Sequence, residues 1–283
     1  MTPLAAERQG IIDAVLLADR LGYDLVGIQD HPYQRRFFET WTLISYLAAR
    51  TSRIRFFPDV ANLPLRAPAV LAKAAATLDI LTDGRIELGL GAGGFWDAIV
   101  AMGGPRRTPA ESVDALEEAL QIIRMMWSSQ AAISFSGKHY AVRGLHPGPP
   151  PAHAMGIWIG AYRPRMLRLI GRLADGWVPS LGYVKADELP DLNARIDQAT
   201  ETAGRDPREI RRILNVGGTI TDGSRDEGGV IDGPPSYWIE VLGRLAEAGM
   251  DVFIFWSQEP RQIERFASDI IPSLKQLASP PAR

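Results

Sequence analysis

Leu25-Val26-Gly27-Ile28-Gln29-Asp30-His31-Pro32 decides how the rest of the chain is read. The first four residues form a short apolar run with strand character, and Pro32, which has no N–H to give a ladder, stops it from continuing as a central strand. Upstream, Ile12, Val15, Leu16 and Leu21 recur at helical spacing and Gly22 supplies the stop. Downstream come a helix at about Thr40 to Thr51, a strand from Ile54 to Val60, and a helix from about Pro68 to Leu81. The turn Thr82-Asp83-Gly84 then leads into a strand, Ile86 to Leu90, that runs into glycines. Alternation with such short turns predicts parallel strands, because each parallel crossover needs a helix.

The scheme continues with one interruption. Thr108 to Ser128 is the clearest helix: Thr108, Pro109 and Glu111 make a capping box, and Val113, Leu116, Leu120, Ile123 and Trp127 line one face. The stretch Ala132 to Ala152, with Phe135 to Tyr140 and the prolines of Pro147 to Pro151, reads as a hairpin insertion and rigid connector within about 129–155. Strands then follow at Gly156 to Gly160, Trp177-Val178, Ile213 to Ile220 and Val252 to Trp256. Helices lie between and after them, and a glycine-rich loop spans 221–235. Seven strands in one domain, 1–283, predict an α/β fold, with the TIM (β/α)8 barrel as the commonest closed solution. Because the chain opens on a helix, the barrel's first strand is expected to be lacking, upstream of Met1; a seven-stranded open sheet is the competing topology.

Composition narrows the function. The 283 residues are 46% hydrophobic and 23% charged, enough for a sizeable core. Lys and Arg number 31 against 33 Asp and Glu, for a net charge of −2 without a basic block, so no nucleic acid or acidic membrane partner is expected. A small-molecule substrate is the default. The absence of cysteine excludes disulfides, thiolate metal sites and cysteine nucleophiles. Glu7, Arg8, Asp13 and Asp19 interrupt the first twenty residues, which lack the apolar core of a signal peptide or membrane span, so a cytoplasmic location is expected.

Gly89-Leu-Gly91-Ala-Gly93-Gly94 contains a formal dinucleotide fingerprint, but it lies behind two complete βα units and lacks the unit that would make it one. Glycines at the end of a barrel strand instead suggest clearance for the flat face of a ligand. Asp30-His31 ends the first visible strand, which in a barrel is the active-site face, and a histidine there can exchange protons near neutral pH. It can also merely cap the loop beside Pro32. Asp59 ends the next strand and is a second site candidate. His139, His146 and His153 fall in irregular proline- and glycine-rich sequence, which does not predict a metal site. Phosphate-loop and nucleophile-elbow motifs do not occur.

Several segments taken in order carry a resemblance: Ala18-Asp-Arg-Leu-Gly-Tyr23, Gln29-Asp-His-Pro32, Ala49-Arg-Thr-Ser-Arg53, Arg66-Ala-Pro-Ala-Val70, Ala76-Thr-Leu-Asp79, Gly84 to Gly91, Phe135 to Tyr140, Trp158-Ile-Gly-Ala161 and Ala174-Asp-Gly-Trp177. Over roughly residues 10–180 the chain resembles the bacterial luciferase-like monooxygenase family of flavin- and F420-dependent oxidoreductases.

The resemblance implies a TIM barrel that holds the ring of F420 or FMN at its C-terminal mouth. It implies a non-proline cis peptide at Asp59-Val60, in a bulge on which the ring leans, with Ala61 and Asn62 following. Ala92-Gly93 and Gly160-Ala161-Tyr162-Arg163 match ring, ribityl and phosphate contacts, and Arg163 with Arg165 is expected to form an anion site at a helix N-terminus. His31 is the expected proton-exchanging residue, with Asp30 and Asp59 as polar supports. Gly94 stands where some F420-dependent sugar-phosphate dehydrogenases place an acid, so that substrate class is disfavoured. The resulting expectation is a homodimeric oxidoreductase passing hydride between F420, or FMN, and a small organic substrate. An FMN monooxygenase that uses oxygen is the near alternative, and a non-catalytic flavin-binding protein is the alternative from another class.

Overall fold

The structure is a computed structural model, and it describes residues 1–223 and 230–278. Its parallel strands are β1 (Leu25–Ile28), β2 (Arg55–Pro58), β3 (Ala61–Asn62), β4 (Leu88–Gly91), β7 (Ile157–Ile159), β8 (Gly176–Trp177), β9 (Arg211–Gly217) and β10 (Val252–Trp256), while β5 (Ile133–Ser136) and β6 (Ala141–Leu145) make the antiparallel inserted hairpin. The helices are α1 (Arg8–Leu21), α2 (Thr40–Ala48), α3 (Pro68–Leu81), α4 (Trp96–Ala101), α5 (Pro109–Met126), α6 (Pro164–Leu173), α7 (Leu189–Thr202), α8 (Pro235–Glu247), α9 (Pro260–Arg265) and α10 (Ile271–Ala278). Among the described residues no helix is long and apolar enough to cross a membrane.

The strand expected over Ile54 to Val60 is broken. It runs as β2, breaks at the cis Asp59-Val60 peptide and resumes as β3, so that β2 pairs with β1 and β3 pairs with β4. A parallel bridge from Phe56 to Ile86 joins the two parts of the sheet. The ladder then runs from β4 through β7, β8 and β9 to β10. Met1 lies on the free side of β1, its amino group donating to the Gly27 carbonyl (2.8 Å) and its carbonyl accepting from Gln29 N (3.1 Å). Thr2 N reaches the Gln258 side chain, just past β10 (2.7 Å). Phe57, Trp158, Val178, Ile213 and Ile254 pack as the inner core, and the sheet–helix layer forms the larger one.

Aspartates near the helix C-termini pin the helices to the starts of the strands. Asp19, at the end of α1, accepts from Ile54 N (2.8 Å), and Asp175 accepts from Ile157 N (2.8 Å). Asp79, fully buried on α3, accepts from Ile86 N (3.1 Å), Ala152 N (2.8 Å) and His153 Nδ1 (3.0 Å). All three acids belong to segments that carried the resemblance, and all three lie at the N-terminal face, where a barrel's conserved demands concern stability. His153 is thereby held between Asp79 and Glu87, while His146 bonds the Ala131 carbonyl.

Glu118 on α5 holds the tip of the hairpin by accepting from Lys138 N (2.7 Å), His139 N (2.9 Å) and Tyr140 N (2.9 Å). Desolvation pushes its pKa up, but these three backbone donors outweigh it and hold the carboxyl below its ordinary 4.5. A depressed carboxylate pKa means the stabilisation is present above the ordinary value and is lost as pH falls through the lowered one. Hydrogen exchange at Lys138 to Tyr140, normalised to intrinsic rates, is therefore expected to accelerate below that range. Glu118→Gln should produce the same loosening already at neutral pH. Exchange that is independent of both changes would contradict the assignment.

Candidate active site

The strand ends on the C-terminal face converge on one mouth. From β1 comes Asp30, 1% exposed, whose Oδ2 accepts from Asn62 N (2.8 Å) and Arg66 Nε (3.0 Å) and whose Oδ1 accepts from Arg66 Nη2 (2.8 Å). Arg66 continues to Glu39 (2.7 Å), which caps α2. A carboxylate so engaged, with three of its roughly four lone-pair sites occupied, holds β3 and the loop before α3 in place.

His31 follows it, partly buried, and is walled by aromatic rings. Tyr33 Oη lies 2.8 Å from His31 Nδ1, and Phe95, after β4, meets the imidazole edge-on at 5.8 Å. Phe37 lies 6.4 Å away on the other side. Burial lowers the His31 pKa below its ordinary 6.5, against a smaller upward pull from Asp30, so the ring is neutral at pH 7. Nε2 has no hydrogen-bond partner among the described residues.

Below the mouth, Asp59 accepts from Asn215 Nδ2 on β9 (3.3 Å), and the same amide reaches Ser180 Oγ (3.3 Å). Desolvation raises the Asp59 pKa. The side chain of Val60 fills the centre. A Cβ on Gly91 would sit 2.8 Å from it, and one on Gly160 3.0 Å. On Gly89 a Cβ would fall 2.0 Å from the Pro58 carbonyl oxygen. The clearance expected for a ligand at Gly89 and Gly91 is thus taken by the β2–β3 break itself, because three strands crowd around one bulge. Only further out is there open space: Gly94 would meet nothing within 4 Å.

Ala92 and Gly93 follow β4, with Gly93 at φ 96° against Pro64, and Ala161, Tyr162 and Arg163 follow β7. The structure thus brings Asp30, His31, Asp59, Val60, Ala92, Gly93, Gly160, Ala161, Tyr162 and Arg163 to the ends of β1, β2, β4 and β7, around Ala61 and Asn62 of β3. Arg163 stacks over the Tyr162 ring (5.3 Å), which in turn stacks on Tyr183 (6.2 Å). Arg165 departs from expectation. Its guanidinium is paired with Asp114 and bonds the Ala110 carbonyl (3.2 Å), both on α5, so it braces α6. The rim aromatics Tyr33, Phe95 and Tyr183 were not singled out in the sequence; no local pattern marks them. Residues 224–229 of the expected glycine-rich loop lie outside the described residues.

A flat heteroaromatic cofactor fits this setting. Val60 offers an apolar support, Gly94 leaves its approach clear, and Asn62 Oδ1 and Asn215 Oδ1 are buried acceptors without a protein partner. Such unspent acceptors are costly unless a ligand or water completes them.

The luciferase-like monooxygenase family model matches residues 2–227. The phthiodiolone/phenolphthiodiolone dimycocerosates ketoreductases of Mycobacterium tuberculosis strain H37Rv and Mycobacterium kansasii are 37% identical over 194 residues, 67% of this chain and 49% and 51% of theirs. The chain spans about half the length of these curated relatives. An F420-dependent secondary alcohol dehydrogenase, solved with an F420-acetone adduct, superposes at TM-score 0.85 with 16% identity over 96% of this chain and 97% of that one. The coenzyme F420 dependent tetrahydromethanopterin reductase of Methanopyrus kandleri gives 0.82, 17%, 96% and 97%. The oxygenating constituent of 3,6-diketocamphane monooxygenase from Pseudomonas putida, solved with FMN, gives 0.75, 21%, 94% and 92%. The barrel frame, the broken strand at 59–60 and a family match over most of the chain agree: the protein belongs to the luciferase-like monooxygenase family.

Proposed function

We propose that the protein is an oxidoreductase that passes hydride between F420, or FMN, and the carbonyl carbon of a small apolar ketone, or the reverse from its alcohol. The observation that carries this reading is His31: a neutral imidazole with Nε2 unpartnered, set among apolar rings beside the bulge. Val60, Ala61 and Asn62 would support the ring, Ala92, Gly93, Gly160 and Ala161 its edges, and Tyr162 with Arg163 the phosphate end. The bound cofactor supplies the two-electron chemistry. The chain's own part is to orient the substrate and exclude water with Phe37, Phe95 and Tyr33, and to place the Nε2 proton against the substrate oxygen. Neutral histidine serves as such an electrophile where burial keeps it uncharged. Asp30 positions β3, and Asp59 is a polar support beneath.

That the relatives include ketoreductases, and the fold neighbours an alcohol dehydrogenase, supports a carbonyl substrate. Exposed apolar side chains on α2 and α3, among them Tyr46, Val70 and Leu81, support a homodimer. A cytoplasmic site of action belongs to the same reading. The test is reoxidation of reduced F420 and of reduced FMN by a panel of apolar ketones, without oxygen and then in air. The proposal expects ketone-dependent reoxidation without oxygen. Substrate-dependent turnover only in air marks an FMN monooxygenase, and binding without any turnover marks a non-catalytic flavin protein; either overturns it.

A further inference from the structure

Tyr33 carries a role that the site described so far does not use. Its oxygen is 2.8 Å from His31 Nδ1. Between a phenol and a neutral imidazole the phenol O–H is the stronger donor and the imidazole nitrogen the stronger acceptor, so Tyr33 donates and His31 Nδ1 accepts. A neutral imidazole that accepts at Nδ1 carries its proton on Nε2.

We propose that Tyr33 is a positioning residue that locks His31 in the Nε2–H tautomer and turns that N–H toward the substrate oxygen. The proposal rests on the reading of His31 given above and adds the group that orients it. Tyr33 stays a neutral phenol throughout the working range, since burial, and then the charge of Asp30, push its pKa up to about 12. The titratable groups that face His31 are Asp30, whose charge Arg66 takes up, and Tyr33 itself; Phe37 and Phe95 complete the surround.

The consequence for titration has a definite sign. A donor to Nδ1 stabilises the neutral ring and holds the pKa down, so removing it must raise the His31 midpoint.

The experiment is two-bond proton–nitrogen NMR of the full chain labelled at histidine nitrogen, with His31→Gln to assign His31 among the four histidines. The wild type should show the Nε2–H pattern at His31 and a midpoint below 6.5. Tyr33→Phe, which keeps the ring and loses one oxygen, should raise the midpoint and remove the tautomer preference. It should also lower kcat for ketone reduction ~5- to 10-fold with little change in KM for the cofactor, the scale of one lost orienting hydrogen bond. An Nδ1–H pattern in the wild type overturns the proposal, and so does a midpoint that Tyr33→Phe leaves in place. The tautomer is read without turnover. Failure of the functional reading would leave this result standing, and the reverse also holds.

Discussion

His31→Ala is expected to lower kcat for ketone reduction by ~10²–10⁴-fold, the usual contribution of a positioned proton-exchanging group. Cofactor affinity should hardly change. His31 sits after β1, whereas the residues placed to support the ring and phosphate follow β3, β4 and β7. A loss confined to kcat identifies an interaction made chiefly in the transition state. Steady-state kinetics beside equilibrium binding of the cofactor separates the two effects. Intact kcat with weakened cofactor binding would make His31 a positioning residue and leave the proton to Asp30, Asp59 or water.

Gly89→Ala should be the most damaging of the small substitutions. The added methyl would lie 2.0 Å from the Pro58 carbonyl oxygen and 2.9 Å from the Phe57 ring, and a backbone carbonyl fixed between β1 and β4 has nowhere to go. Overpacking of a filled core costs 1–3 kcal/mol, and with backbone as the obstacle a loss of ~3 kcal/mol is expected, together with weakened cofactor binding as the bulge shifts. Gly94→Ala is the matched control. Its methyl meets open space, so its stability should stay within ~0.5 kcal/mol of wild type. Urea unfolding of the two variants measures the difference. Equal stabilities would mean that the crowding around Val60 and Pro58 is not what positions the mouth.

These two residues also show what the sequence could and could not disclose. His31 was legible because a strand ending in Asp30-His31-Pro32 places its last residues at the catalytic face of any parallel barrel. Gly89 and Gly91 were legible as sites of close approach, but what approaches them is the chain's own β2–β3 break, thirty residues away in sequence. The same non-locality hid the fate of Arg165: its helix-terminal position suggested an anion site, and only the packing of α6 on α5 supplies Asp114 to take its charge. The segment ending in Asp79 pointed correctly to the family while its chemistry is that of a pin, accepting backbone N–H groups at the opposite end of the barrel from the mouth. Tyr33 escaped notice although its partner His31 is two residues away, because no local pattern shows which way the loop after β1 turns the phenol. The strand alternation was readable since each crossover is local; the break at Asp59-Val60 followed from the resemblance and from no periodicity.

The central claim is direct hydride transfer between the ring and a ketone carbon beside His31. It is tested most directly by incubating the protein, without oxygen, with an apolar ketone and reduced F420 carrying deuterium on its hydride-donating carbon. Mass spectrometry of the alcohol gives the answer. The account predicts one deuterium on the carbinol carbon for each cofactor oxidised, formed far more slowly by His31→Ala. Alcohol without label, or no alcohol while the cofactor stays bound and reduced, would contradict it.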